Sequence, residues 1–283
     1  MIIFIFFFGA ALGSFINVLA VRYDPEHFVF SPSIIGGRSH CPHCKKTLRW
    51  FELVPLLSFI FQLGRCRGCA RRISFQYPLV EIAAGLICVF VPMRLHFLFL
   101  PSTFYLPLSI LWIAVFLTLL LIVLIDTRLY LIPDEANVFI GVAGFAITAF
   151  MALYSHGATG SFLGEYAHLF GFPENAWANH VLAALAAGFL FALIIGVTRG
   201  KGMGMGDLKL VVPLGLAFGW PDIFLVIALG FVIGAIYGIY AIVSRNKNFK
   251  SAVPFGPFLA LGAALVFFFG YDVIRAYAHL FGP

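Results

Sequence analysis

Two aspartates sit where a hydrocarbon-spanning segment would avoid them. Asp126 closes an apolar run from Ile110 to Ile125, broken only by Thr118. Asp207 follows the turn Gly202-Met203-Gly204-Met205-Gly206 and opens a second largely apolar run. A carboxylate at a membrane edge is costly, so function is its default reading. Two carboxylates brought together share a proton and titrate as one unit. One member can then activate a water while the other protonates a leaving amine. That is peptide-bond hydrolysis without a covalent intermediate. The alternating glycines, Gly204 and Gly206 among them, strip the loop of side chains and admit an extended peptide. The structural alternative for Asp207, read alone, is an N-cap. Asp134, just after Pro133, is the rival of Asp126. Glu81 reads either as an ion-pair partner of Arg71 or Arg72 or as part of the site. Asn17 is polar within an apolar run, and its role is open. No G-x-S-x-G, H-E-x-x-H or G-x-G-x-x-G motif supports serine, zincin or nucleotide chemistry.

The elements that must position these acids follow from composition. The 283 residues are 62% hydrophobic and 11% charged, with a mean hydropathy of +1.01. Soluble domains carry about a quarter charged residues. The fold class is therefore an all-α polytopic membrane protein, because helices satisfy their own backbone in lipid. Eight spans are expected, at about 1–21, 78–95, 104–126, 133–154, 179–198, 207–220, 221–244 and 254–274. The first lacks a basic leader and a small-residue cleavage site, and reads as a retained helix rather than a signal peptide. The polar stretch 22–77 separates it from a seven-helix membrane domain, 78–283. The segment 155–178 is long for a loop and could hold a short amphipathic helix.

Charge sets the orientation. The 22–77 segment holds nine Lys/Arg and is cytoplasmic by the positive-inside rule. With the N-terminus outside, the other inner loops lie near 127–132, 199–206 and 245–253. Of the 18 Lys/Arg, only Arg94 and Arg275 then fall outside this side. The third span ends inside and the sixth begins inside. Asp126 and Asp207 thus share a depth, 81 residues apart in sequence, although topology alone does not make them lateral neighbours.

Cys41-Pro-His-Cys44 and Cys66-Arg-Gly-Cys69 are two C-x-x-C pairs with 21 residues between them. This spacing fits a structural four-thiolate zinc site, where a metal substitutes for a small core. Lys45, Lys46, Arg65, Arg67, Arg71 and Arg72 offset the charge of four thiolates. Two disulfides are the alternative, in an oxidising compartment. His43 reads as a surface residue and Cys88 as a packing residue.

The chain resembles the bacterial prepilin peptidases, the leader peptidases of type IV pili and type II secretion. The likeness runs nearly end to end, through Gly13-Ser14-Phe15-Ile16-Asn17-Val18, the four cysteines, Pro55-Leu56-Leu57-Ser58 and Tyr77-Pro78-Leu79-Val80-Glu81. It continues through Ile125-Asp126, Ile132-Pro133-Asp134, Gly204-Met205-Gly206-Asp207-Leu208-Lys209 and Pro254-Phe255-Gly256-Pro257. The resemblance implies a GxGD aspartic protease of the bacterial inner membrane with Asp126 and Asp207 as the catalytic pair. It implies cleavage of the basic leader of prepilins or pseudopilins, after a glycine, on the cytoplasmic side. It also implies N-methylation of the new N-terminal residue with S-adenosylmethionine. No residue identifies the methyl-donor site, the leader-recognition site or the oligomeric state. Nucleic acid is not expected as a partner; membrane lipid is. The alternative function is a transporter or proton channel using the membrane-edge aspartates, and a zinc-ribbon scaffold without catalysis is a third reading.

Overall fold

The computed structural model describes residues 1–98, 105–154, 161–171, 175–200, 202–244 and 253–281. Four basic residues of the expected inner loops, Lys201, Arg245, Lys247 and Lys250, lie outside the described residues. Eight principal helices organise the described residues: α1 (Ile2–Arg22), α2 (Gln76–Leu98), α3 (Tyr105–Leu129), α4 (Asp134–Tyr154), α5 (Ala176–Thr198), α6 (Met205–Phe218), α7 (Asp222–Val243) and α8 (Gly256–Phe281). All but α6 are long and apolar enough to cross a membrane. The chain is thus a multi-pass helical protein with seven such spans among the described residues. The 14-residue α6 is short because Gly219, at φ +75°, and Pro221 interrupt the apolar run. Asn179 on α5 clamps that break, donating to the Trp220 carbonyl at 2.9 Å and accepting its N–H at 2.8 Å. In the 155–178 region, 155–160 and 172–174 lie outside the described residues, and Gly164–Phe170 forms a 3-10 segment.

The chain divides into two compact units, Met1–Ile125 and Asp126–Pro283. In the first, α1 packs on α2 through small residues. A Cβ on Gly9 would lie 2.7 Å from the Ala84 carbonyl oxygen, and one on Gly13 would lie 2.8 Å from that of Val80. Only glycine permits this approach, a common device between helices in lipid. Asn17 is one turn further along the same stripe. It is buried, donates to the Tyr77 carbonyl at 3.4 Å and accepts from Gln76 Nε2 at 3.3 Å. Its role is to tie α1 to the first turn of α2.

In the second unit, α4 and α5 pack against α6, and α7 packs against α8. A Cβ on Gly144 would sit 3.0 Å from the Ala217 nitrogen, and one on Gly215 only 2.6 Å from Ala184 Cα. Thr148 Oγ1 bonds the Leu216 carbonyl at 3.0 Å. Asp222, fully buried at the start of α7, accepts from Ser161 Oγ at 2.8 Å and the Phe162 amide at 3.2 Å. Its partners make it an anchor for the 161–163 segment.

Candidate active site and metal centre

Both aspartates fall in the second unit, and each is held by the start of a helix. Asp126 lies in the last turn of α3, where the dipole disfavours an acid. Its Oδ2 accepts the Gly256 amide at 3.1 Å. Gly256 is the first residue of α8, so this N–H has no partner within its own helix. Asp207, third in α6, reaches back to accept the Gly204 amide at 3.2 Å. This is half of a capping box, since glycine has no side chain to return the bond. The capping role therefore coexists with any chemical one.

Asp126 is 4% exposed and Asp207 9%. They are near enough that the charge of Asp126 acts on Asp207. Ile132, in the turn between α3 and α4, packs against the starts of both α6 and α8. Its side chain is 3.4 Å from where a Cβ would stand on Gly206 and on Gly256 alike. Asp134, the rival acid, is exposed and pairs with Lys209 Nζ at 2.8 Å. Glu81 lies in the first unit, where Oε2 accepts the Leu56 amide at 2.8 Å. That amide takes the place of the expected arginine partner, because Arg71 instead contacts His43 Nδ1 at 3.0 Å.

Sequence reasoning singled out the Pro254-Phe255-Gly256-Pro257 turn but gave Gly256 and Ile132 no role. It missed Asn137 altogether. Asn137 is 7% exposed, and neither amide atom has a hydrogen-bond partner among the described residues. The contacts Asp134–Lys209, Gly141–Pro213 and Gly144–Ala217 run the same way along α4 and α6. Asn137 is thus level with the α6 turn from Lys209 to Pro213, where the proline lacks the N–H that would bond the Lys209 carbonyl. A polar residue among apolar neighbours at 137 was the available signal.

The four cysteines converge within the first unit. Both knuckles use one backbone pattern. Cys41 N–H donates to Lys46 O at 3.0 Å and Lys45 N–H to Cys41 O at 3.0 Å; Cys66 donates to Arg71 at 2.9 Å and Ala70 to Cys66 at 2.8 Å. Lys45 and Ala70 take φ of +57° and +56° to close them. All four Sγ atoms lie within 4.8 Å of one another, with Cys41–Cys69 and Cys44–Cys66 at 4.0 Å. A tetrahedral zinc with bonds of about 2.3 Å sets sulfurs ~3.8 Å apart, whereas a disulfide needs ~2.05 Å. The cluster could hold a metal ion, and its cysteines are unbridged. The Gly68 amide, 3.3 Å from Cys66 Sγ, pulls that thiol down to about 7. Glu52 braces the first knuckle. The Arg49 amide and Lys46 bond it at 2.8 and 3.5 Å, and the Arg49 bond foremost holds its carboxyl below the usual range.

The bacterial peptidase A24 N-terminal domain matches residues 7–95, and the type IV leader peptidase family matches residues 112–239. A prepilin leader peptidase/N-methyltransferase of Bacillus subtilis (strain 168) is 33% identical over 98% of this chain and 98% of its own length. The chain belongs to the type IV leader peptidase family. Proteins of the same name from Aeromonas salmonicida (strain A449) and Pseudomonas aeruginosa are 31% and 28% identical, over 96% and 97% of this chain and 92% of each relative. No solved structure matches the chain. The leader peptidase match contains both aspartates, and the N-terminal match contains the four cysteines.

Proposed function

We propose that the chain is a membrane aspartic endopeptidase that removes the leader of type IV prepilins or pseudopilins and then methylates the new N-terminal amine. The observation that carries the peptidase half is the pair Asp126 and Asp207, both buried in one unit, each held by a glycine amide at a helix start. The names of the full-length relatives carry both activities.

Each carboxylate spends one oxygen on a glycine amide. Its other oxygen has no protein partner among the described residues and is free for chemistry. The ionised member takes a proton from water as the water attacks the scissile carbonyl. The protonated member hydrogen-bonds the carbonyl oxygen, and the pair then delivers a proton to the leaving amine. The bonds from Gly256 and Gly204 fix both carboxylates before substrate arrives. The exposed pairing of Asp134 with Lys209 favours Asp126 over it. Gly204 keeps the space beside Asp207 clear, since a Cβ there would stand 3.5 Å from its Oδ2, whereas Gly206 faces Ile132.

Zinc is the metal that the cysteine donor set favours, held by Cys41, Cys44, Cys66 and Cys69 in a structural role. S-adenosylmethionine supplies the methyl group. The basic 22–77 segment supports a cytoplasmic location for this domain and the aspartates at the bacterial inner membrane, with the N-terminus outside. The scissile bond, between a basic leader and an apolar helix, meets the carboxylates at that interface. A transporter reading lacks support, since both acids stand at helix ends and transport sites lie near the midplane.

The test is the purified protein with a prepilin, with and without S-adenosylmethionine, read by mass spectrometry. Loss of the leader mass with gain of one methyl is expected. An intact substrate across several prepilins would refute the proposal.

A further inference from the structure

The first unit contains a cavity of about 690 Å³ framed by α1, the start of α2 and the cysteine knuckles. Small-molecule sites span roughly 300–1,000 Å³. The peptidase chemistry leaves this cavity unused. Its lining residues lie wholly within the region matched by the N-terminal domain. Its walls are chemically mixed. Phe59 and Phe75 form an aromatic pair with centroids 5.5 Å apart, and Phe75 is 73% exposed, so its ring is open to a ligand. Glu81 is 7% exposed, and the Leu56 amide fixes the direction of its carboxylate. Ser14 lines the cavity with it. Arg72, on the rim, has no acidic partner among the described residues.

We propose that this cavity binds the adenosyl sulfonium methyl donor. The inference rests on the methyltransferase half of the proposed function and gives that half a place. Such a donor presents a flat base, ribose hydroxyls, a cationic ammonium and sulfonium, and a carboxylate. The Phe59–Phe75 pair offers the base a stacking surface. Glu81 and Ser14 offer acceptors to the hydroxyls and the cationic groups. Arg72 offers the carboxylate a charge-assisted, bidentate bond. Cys41 and Cys66 are also in the wall, so a metal bound by the four cysteines would brace that side of the cavity. In the transfer, the lone pair of the new N-terminal amine forms a bond to the methyl carbon. The carbon–sulfur bond breaks, its electron pair returns to sulfur to leave a neutral thioether, and the surplus proton on nitrogen passes to solvent.

The experiment is calorimetric titration of S-adenosylhomocysteine into the purified, zinc-loaded full chain, beside the mass-spectrometric assay. Wild type and Asp126→Asn bind alike. Phe75→Ala and Arg72→Ala, both at exposed positions, keep their zinc and cleave leader at the wild-type rate, but bind roughly tenfold more weakly. Methylation falls with binding. If wild type binds and methylates while both variants bind as tightly, the cavity assignment is overturned and the function stands. If wild type neither binds the nucleoside nor methylates, the methyltransferase reading is overturned, and this site with it.

Discussion

Replacing Gly256 by alanine tests whether the Asp126 carboxylate is held where the account needs it. The new Cβ would lie 2.6 Å from Asp126 Oδ2 and 3.4 Å from Ile132 Cδ1. Ordinary contact begins at 3.4 Å, so the carboxylate must retreat by about 0.8 Å and loosen its bond to the Gly256 amide. Misplacing a reacting group by ~1 Å can cost about 100-fold in rate. Gly256→Ala is therefore expected to lower kcat for leader cleavage by roughly 10- to 100-fold, with little change in KM. The control is Gly206→Ala. There the nearest atom is Ile132 Cβ at 3.4 Å, and the exchange within a helix gains about 0.5–1 kcal/mol. It should melt no lower than wild type and lose far less activity, even though Gly206 belongs to the Gly-x-Gly-Asp turn. Steady-state cleavage of a prepilin in detergent, with thermal melts of each variant, reads both. Equal activity of Gly256→Ala and wild type would refute the placement of Asp126.

Removing the metal bears on the other unit. Cys41→Ser with Cys44→Ser should abolish zinc content by elemental analysis and lower the melting temperature, with methylation lost more readily than cleavage; unchanged zinc would contradict the ligand set. The exposed Asp134–Lys209 pair is worth about 0–1 kcal/mol. Asp134→Asn should therefore keep most cleavage activity, and abolition would make Asp134 the catalytic acid in place of Asp126. Asn137 leaves a buried amide unpaired, at a cost of roughly 1–3 kcal/mol. Asn137→Leu should raise the melting temperature while lowering cleavage, if the amide serves the substrate; a lower melting temperature with full cleavage would make it structural.

The parts of the molecule legible in the sequence were those governed by composition and short-range spacing. The two C-x-x-C pairs define their own turns, and the backbone pattern around Cys41 and Cys66 is local. The long helices follow from apolar runs, and Gly219-Trp220-Pro221 marks the break between α6 and α7 that the structure shows. Charge partition gave Asp126 and Asp207 a common depth, but their proximity depends on helix packing that no local signal encodes. The Gly256 amide bonds Asp126 across 130 residues. Asn17 needed Gln76 and Tyr77, 59 and 60 residues away, before its role was visible. Glu81 reads in the sequence either as an arginine's partner or as part of a site, and the backbone amide that holds it, from Leu56, is named by no local signal. Long-range hydrogen bonds are satisfied by tertiary neighbours, and a single sequence does not name them.

The central claim is that Asp126 and Asp207 act as one catalytic pair. The most direct measurement is leader cleavage by Asp126→Asn and Asp207→Asn, each purified with wild-type zinc content and thermal stability. The asparagine side chain can still accept the Gly256 or Gly204 amide, so both variants should fold. Each is expected to leave the prepilin at its full mass while still binding S-adenosylhomocysteine. Cleavage at the wild-type rate by either variant would contradict the claim.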